Sequence, residues 1–69
     1  MEYIRDKYNN IIGQLWESGP SIYAKDFYGN ILGYYVKSSD ITHDKSGNYL
    51  GKGNLLVGLI YANNMNHNS

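Results

Sequence analysis

Three similar segments of the chain place carboxylate, amide and glycine residues at matching positions, a combination that can hold a calcium ion. They are YIRDKYNNIIG at 3–13, YAKDFYGNILG at 23–33 and ITHDKSGNYLG at 41–51. A calcium loop of the EF-hand type needs oxygen ligands at alternate positions and a distal bidentate glutamate. Here the third loop position holds tyrosine or serine, and no suitable glutamate follows. The pattern therefore favours turn formation over calcium binding.

Other residues capable of chemistry lack the spacing that catalysis or metal binding requires. His43 and His67 are the only imidazoles and the chain has no cysteine, so a tetrahedral metal site lacks ligands. The Gly-x-Ser-x-Gly spacing of a hydrolase nucleophile is missing, and the segment GKG at 51–53 is not a phosphate loop. We therefore predict a non-enzymatic protein with no catalytic residue, no metal and no cofactor.

Aromatic side chains are the strongest remaining candidates for a functional role, with eight tyrosines, one tryptophan and one phenylalanine in 69 residues. Tyrosine is common at interfaces, where its ring is buried and its hydroxyl finds a partner. One interpretation is that Tyr3, Tyr23 and Tyr61 pack over strand glycines. The other is a contact surface for a ligand or partner. Its candidate residues are Arg5, Tyr8, Trp16, Lys25, Tyr28, Tyr34, Tyr35 and His43.

The repeated segments are typical of β-hairpins. In each copy an aspartate is followed three residues later by Asn or Gly, the residues that best tolerate a positive φ. Such a string fits a type I turn followed by a left-handed residue. Segments rich in β-branched and aromatic residues flank each turn. The aligned columns are Asp6, Asp26 and Asp44; Asn10, Asn30 and Asn48; and Gly13, Gly33 and Gly51.

Alternation inside the strands separates two faces of each hairpin. In the first strands, one face carries large side chains beside a basic column of Arg5, Lys25 and His43, and the other face carries mostly small ones. We expect the aliphatic column of the second strands to lie in the core. The large, small and aliphatic positions are Tyr3, Tyr23 and Ile41; Ile4, Ala24 and Thr42; and Ile12, Leu32 and Leu50.

The end of the chain departs from the three complete copies. The segment IYANN at 60–64 matches IYAKD at 22–26 and follows the most apolar stretch. We therefore predict a seventh strand, which either closes a ring on the first hairpin or extends the sheet of another chain. The predicted organisation is a single domain over 1–64 and a disordered tail at 65–69. Its repeats are 3–21, 22–40 and 41–59, with a partial copy at 60–64.

Composition limits the partners and the location of such a domain. Six acidic and six basic residues give formal neutrality, which argues against a general affinity for nucleic acid or an anionic membrane. The N-terminus has no apolar signal segment and no stretch is long enough to span a membrane, so we expect a cytoplasmic protein. A domain this small buries a limited share of its surface, which favours a homo-oligomer. Abundant Asn, Ile, Lys and Tyr are typical of AT-rich bacterial or phage genomes.

The recurring unit resembles the small bacterial β-flower proteins, whose units likewise read as hairpins centred on Asp-x-x-Gly-Asn. The segments KDFYGNILGYY and HDKSGNYLGKGNLL carry the likeness, which covers about residues 2–62. The resemblance implies a pseudo-symmetric all-β domain and brings no activity or catalytic residue. Asn9 in place of glycine and the incomplete fourth copy depart from the pattern.

We therefore predict an all-β fold, β-flower or β-prism-like, with three pseudo-symmetric hairpin repeats of about 20 residues and a seventh C-terminal strand. Two functions stay open. In the first, the protein is a small interaction module that self-associates and binds a partner protein through an aromatic face. In the second, a homo-oligomer binds or sequesters a small anionic ligand such as a nucleotide.

Overall fold

The computed structural model describes residues 2–67, in which six β-strands are followed by one α-helix. The helix has 12 residues, and the described part of the chain contains no helix long and apolar enough to cross a membrane. The strands are β1 (Glu2–Arg5), β2 (Ile11–Ser18), β3 (Ser21–Asp26), β4 (Ile31–Val36), β5 (Ile41–Asp44) and β6 (Tyr49–Lys52), and the helix is α1 (Leu56–His67).

The six strands form one antiparallel sheet in the order in which they occur along the chain. The segments between the predicted hairpins are tight turns as well. Gly19 has a φ of 58° between β2 and β3, and between β4 and β5 the N–H of Asp40 donates to the Val36 carbonyl oxygen at 2.9 Å. A β-flower arrangement of the three hairpins is not confirmed. The predicted antiparallel strands are confirmed. They make a continuous open sheet, in which β1 and β6 each have one strand neighbour among the described residues.

The segment that we predicted to be a seventh strand is helical, and that prediction is wrong. Residues 60–64 lie within α1, and the helix continues through His67 into the stretch that we expected to be disordered. Residues 68 and 69 lie outside the described range. Leu56 and Ile60, four positions apart, are fully buried, as expected for one face of a helix. This apolar face covers one side of the sheet and forms the core.

Polar side chains fix the point at which the helix begins. Asn54 accepts a hydrogen bond from the N–H of Leu56 at 3.1 Å, which satisfies one of the first donors of the helix. The buried hydroxyl of Thr42 donates to the Gly53 carbonyl oxygen at 2.6 Å and accepts from the N–H of Leu55 at 3.1 Å. Thr42 on β5 thus anchors the chain just before α1.

The glycine that recurs in the second strand of each hairpin lets the C-terminal segment approach the sheet closely. A Cβ atom at any of the three positions would come within 2.7 Å of an apolar side chain of that segment. Our interpretation that the Tyr3 and Tyr23 rings pack over these glycines is wrong, because both tyrosines lie on the opposite face of the sheet. The close pairs are Gly13 with Ile60, Gly33 with Leu59, and Gly51 with Leu55.

Each hairpin contains a β-bulge that gives its second strand one extra residue. The register shifts leave Ile12, Leu32 and Leu50 as these extra residues. Ile12 is buried, Leu32 is half-buried, and Leu50 is 43% exposed. The core position expected for this aliphatic column is therefore confirmed for Ile12 and wrong for Leu50, because α1 packs mainly on β2, β3 and β4.

Candidate functional site

The Asp–Asn turns of the three hairpins share one hydrogen-bond pattern. In each, Oδ1 of the aspartate accepts from the N–H groups two and four residues later at 2.8–3.0 Å. Oδ2 accepts from the asparagine side-chain amide at 3.1–3.4 Å. The residue three after the aspartate has a positive φ, which is 69° at Asn9, 88° at Gly29 and 89° at Gly47. The predicted turn is confirmed, and both oxygens of each carboxylate serve it.

These hydrogen bonds favour the charged form of the carboxylates. The backbone N–H of Asn10 lowers the pKa of Asp6, and that of Asn48 lowers the pKa of Asp44. Within the described residues, no group of three or more His, Cys, Asp or Glu side chains is arranged to hold a metal ion. The geometry therefore assigns these polar residues to holding the turns.

The candidate site is the face of the sheet turned away from α1, which we call the open face. Alternation along β3 shows how it forms, since Tyr23 and Lys25 flank Ala24, which is buried under the helix. One row of paired positions on the open face crosses five strands, from β2 to β6, and consists of ring side chains throughout. We call it the aromatic row; its members are Trp16, Tyr23, Tyr34, His43 and Tyr49.

Rings at the centre of the aromatic row contact one another. Tyr34 stacks on His43 with centroids 5.0 Å apart and an interplanar angle of 22°. Tyr23 lies 6.0 Å from Tyr34 at 42°. The two ends are more open, with Trp16 43% and Tyr49 64% exposed. The row therefore combines a packed centre with accessible rings at its ends.

Positive charge borders the aromatic row on both sides. Lys25 lies on one side and places its Nζ atom 4.7 Å from the centroid of the Trp16 ring, a cation–π contact. Arg5 lies on the same side, and Lys52 pairs with Ile41 on the other. Along residues 2–67, no carboxylate occupies a strand position on the open face. Because the chain as a whole is formally neutral, the open face carries more positive charge than the rest of the molecule.

The structure gathers most of the predicted site residues around this row. Tyr35 is not on the open face. It follows Tyr34 directly in β4, so its side chain lies on the opposite side of the sheet, where it packs against the core under the helix. Its hydroxyl donates to Asp40 Oδ1 at 2.6 Å, and this hydrogen bond raises the pKa of Tyr35 by favouring the protonated phenol. The predicted residues on the open face are Arg5, Trp16, Lys25, Tyr34 and His43.

Tyr8 and Tyr28 lie at the tips of the first two Asp–Asn turns, outside the open face. They are 71% and 73% exposed. The Lys7 ammonium lies 5.2 Å from the Tyr8 ring centroid, and Phe27 meets Tyr28 edge to face at 5.4 Å. The two turn tips thus expose aromatic rings that do not belong to the aromatic row.

Sequence reasoning missed several members of the open face. Tyr23 shares its face with Lys25 by simple alternation, but we had assigned it to packing over glycine. In the alignment of the three repeats, the positions equivalent to Tyr49 are both isoleucine, and those equivalent to Lys52 are glutamine and tyrosine. Neither column therefore indicated an aromatic or a basic site. The missed residues are Tyr3, Tyr23, Tyr49 and Lys52.

A concave feature outside the open face lies between the first two Asp–Asn turns and the end of α1. It is an open cleft of about 510 Å³ whose lining includes Asp6, Asp26, Tyr28, Asn63 and Asn64. The two carboxylates already accept the hydrogen bonds that hold their turns. The cleft therefore offers less directed chemistry to a ligand than the open face does.

Comparison with known proteins supplies no functional label. No protein-family model, no curated protein and no solved structure matches the chain. The likeness to β-flower proteins stays a prediction, and the function has to be inferred from the open face itself.

Proposed function

We propose that this protein is a non-enzymatic binding module whose open face takes an anionic partner that carries planar groups. The observation that supports it is the segregation of charge. Lys25 and Lys52 flank the aromatic row and Arg5 lies farther out on the same face, and the strand positions of the open face within residues 2–67 hold no carboxylate. Complementary charge across an interface speeds association and suppresses wrong partners. A neutral chain that gathers cations and rings on one face therefore fits an anionic partner.

The aromatic row supports the second property of the partner, its planar groups. Tyrosine and tryptophan dominate binding hot spots because they present large, rigid rings at low conformational cost. Trp16 and Tyr49 are accessible at the ends of the row, and Tyr3 on β1 is 51% exposed. Planar groups can stack on these rings. This property fits either of the functions that the sequence left open, a docked protein or a nucleotide-like ligand.

The shape of the open face favours binding over catalysis. It is the outer surface of a sheet, whereas catalysis profits from a concave site that excludes water. His43, the imidazole of this face, is stacked on Tyr34, and its Nδ1 atom lies 3.2 Å from the Gly47 carbonyl oxygen. We assign no catalytic residue.

Self-association and membership of the β-flower family stay separate predictions. The edge strands β1 and β6 keep one side without a strand partner among the described residues, and such edges can pair with another chain. An edge-to-edge pair would continue the sheet and leave the open face uncovered. The proposed binding surface is therefore the same in a monomer and in such an oligomer.

Charge reversal on the open face tests the proposed function. Trp16 is the only tryptophan, so its fluorescence reports events on that face. We expect at least one of poly-glutamate, heparin and oligothymidylate to change the Trp16 emission saturably at low salt. The variant R5E/K25E/K52E should bind at least about tenfold more weakly, because each change removes an attraction and adds a repulsion.

The matched control reverses Lys7, Lys37 and Lys45, which lie outside the strand positions of the open face. This K7E/K37E/K45E variant alters the net charge by the same amount and should bind nearly as well as the wild type. Light scattering on the same samples checks that the variants keep the same mass. Equal losses in the two triple variants, or no response to any of the three polyanions, would refute the proposal.

A further inference from the structure

We infer that the anionic partner is single-stranded nucleic acid. Unpaired bases stack on the aromatic row while Arg5, Lys25 and Lys52 contact phosphates. This inference rests on the proposed function and narrows the chemical class of its ligand. It is carried by the position of the cations relative to the rings, by the length of the row and by the accessibility of its ends.

The aromatic row is long enough for more than one base. Neighbouring strands lie about 4.8 Å apart, so five strands carry the row over about 19 Å. Small sheet domains that bind RNA stack two or three bases on their aromatic side chains. Stacking tolerates any sequence because every base has a π face. The exposed rings of Trp16 and Tyr49 are the first positions to take a base.

Lys25 on β3 and Lys52 on β6 lie on opposite sides of the row and suit a sugar–phosphate backbone that crosses the row obliquely. Lys25 rests over the Trp16 ring, with Nζ 4.7 Å from the centroid. A base that stacks on this indole face displaces the ammonium, which then lies close to the phosphate of the same nucleotide. Arg5 uses one guanidinium N–H on the Asn9 carbonyl oxygen at 3.0 Å, and a guanidinium has five such donors.

The rings distinguish a single strand from other anionic partners. A duplex keeps its base faces inside the stack, so it would meet this surface through phosphates alone. An acidic polypeptide would satisfy the cations and leave the aromatic row without stacking partners. A second copy placed face to face would bring together two surfaces that both carry cations and, at their strand positions, no carboxylate, which is unfavourable.

The neutral balance of the whole chain led us to expect no nucleic acid as a partner. Neutrality limits long-range attraction, but screening in physiological salt confines electrostatics to about 8 Å. Within that distance a ligand on the open face meets mainly the cations there. The local charge of the face, not the total charge of the chain, therefore decides the binding.

Fluorescence anisotropy with labelled oligothymidylate of about ten nucleotides, a length within the span of one small domain, tests the inference. We expect it to bind more tightly than poly-glutamate of equal charge and than a duplex of equal length. The logarithm of the binding constant should fall with the logarithm of salt concentration with a slope of about −2, as three phosphate contacts on a single strand predict.

Two matched leucine variants separate stacking from charge. Y34L/Y49L keeps apolar area on the open face but removes two rings of the row. It should weaken oligothymidylate binding about 5- to 150-fold for each stacked base that is lost and leave poly-glutamate binding nearly unchanged. Y8L/Y28L removes two rings at the turn tips and should have little effect. Circular dichroism checks folding, and Y49L alone serves if the double variant unfolds.

The outcomes separate this inference from the proposed function. If poly-glutamate or the duplex binds as tightly as oligothymidylate, or Y34L/Y49L binds it normally, the inference is wrong while the open face remains an anion-binding surface. If oligothymidylate does not bind, the inference is wrong, and the proposed function fails as well if neither poly-glutamate nor heparin binds. A dimer whose contacts cover the open face, together with no oligothymidylate binding, would assign the face to a second copy and would also overturn the inference.

Discussion

At the residue scale, Asp6, Asp26 and Asp44 each organise a turn with one carboxylate. Each accepts two backbone N–H groups and one side-chain amide within the next four residues. An anionic acceptor makes these hydrogen bonds stronger than neutral ones. These aspartates, whose carboxylates could have bound a metal, therefore stabilise the turns. Each turn connects two paired strands of the sheet that carries the aromatic row.

Acid should destabilise the fold through two of these aspartates. Hydrogen bonds hold the pKa of Asp6 and Asp44 below the unfolded value. Their contribution to stability is therefore complete above about pH 4, the pKa of an unfolded aspartate, and is lost as the pH falls through the folded pKa. We expect the melting temperature, followed by circular dichroism, to drop below about pH 4, and to drop less steeply in D6N/D44N.

Glu2→Gln is the control for this prediction, because Glu2 is an exposed carboxylate on β1 outside the turns. It should keep the wild-type dependence on pH. A D6N/D44N variant whose melting temperature falls as steeply as that of the wild type would show that these hydrogen bonds do not set the acid response.

Local residues predicted the turns but not the composition of the candidate site. The turn is decided within five consecutive positions, so its sequence contains the whole signal. Tyr34 and Tyr35 are adjacent in a strand, and only one can lie on the open face. Which one does so depends on the side that α1 covers, and that contact is made by residues more than twenty positions later. The local sequence pattern could therefore only propose both tyrosines as site residues.

At the scale of elements, the C-terminal helix defines which face of the sheet is open. The strands and turns followed from alternation and turn chemistry, whereas α1 did not. Its apolar run is short and contains Gly58, a poor helix former, and IYANN at 60–64 copies the start of a repeat. The signals that favour a helix were Asn54 as a cap and the apolar spacing of 56, 59 and 60. Tertiary packing on the glycine column decides the outcome.

A pair of glycine variants tests the packing of α1 on the sheet. A Cβ at Gly33 would lie 2.5 Å from the His43 carbonyl oxygen and 2.6 Å from Leu59 Cδ2, so Gly33→Ala should cost about 1–3 kcal/mol of unfolding free energy. Gly58 lies within α1 and a Cβ there meets nothing within 4 Å. Gly58→Ala should therefore gain about 0.5–1 kcal/mol.

Urea unfolding measures both free energies on the same protein. The two variants add the same methyl group, so opposite signs separate the crowding at Gly33, from β5 and from α1, from the general effect of alanine. Unchanged stability in Gly33→Ala, or a loss in Gly58→Ala, would contradict the placement of α1 over β4.

At the scale of the whole molecule, the distribution of charge carries more information than its total. The chain is formally neutral, yet its carboxylates lie in the turns and on the side of the sheet that α1 covers. On that side, Glu17 is ion-paired with Lys37. The cations of Arg5, Lys25 and Lys52 lie on the open face, with Lys25 and Lys52 beside the aromatic row. Composition cannot show such segregation, because it arises from strand register and from the side that α1 covers.

The central claim is that the open face is the binding surface, and chemical-shift mapping tests it most directly. Backbone amides of the ¹⁵N-labelled protein are followed during titration with oligothymidylate or poly-glutamate, whichever binds more tightly. We predict the largest shifts along β2 to β6 at the aromatic row and at Lys25 and Lys52. Shifts concentrated instead at the turn tips of Tyr8 and Tyr28, or in the cleft beside Asn63, would contradict it.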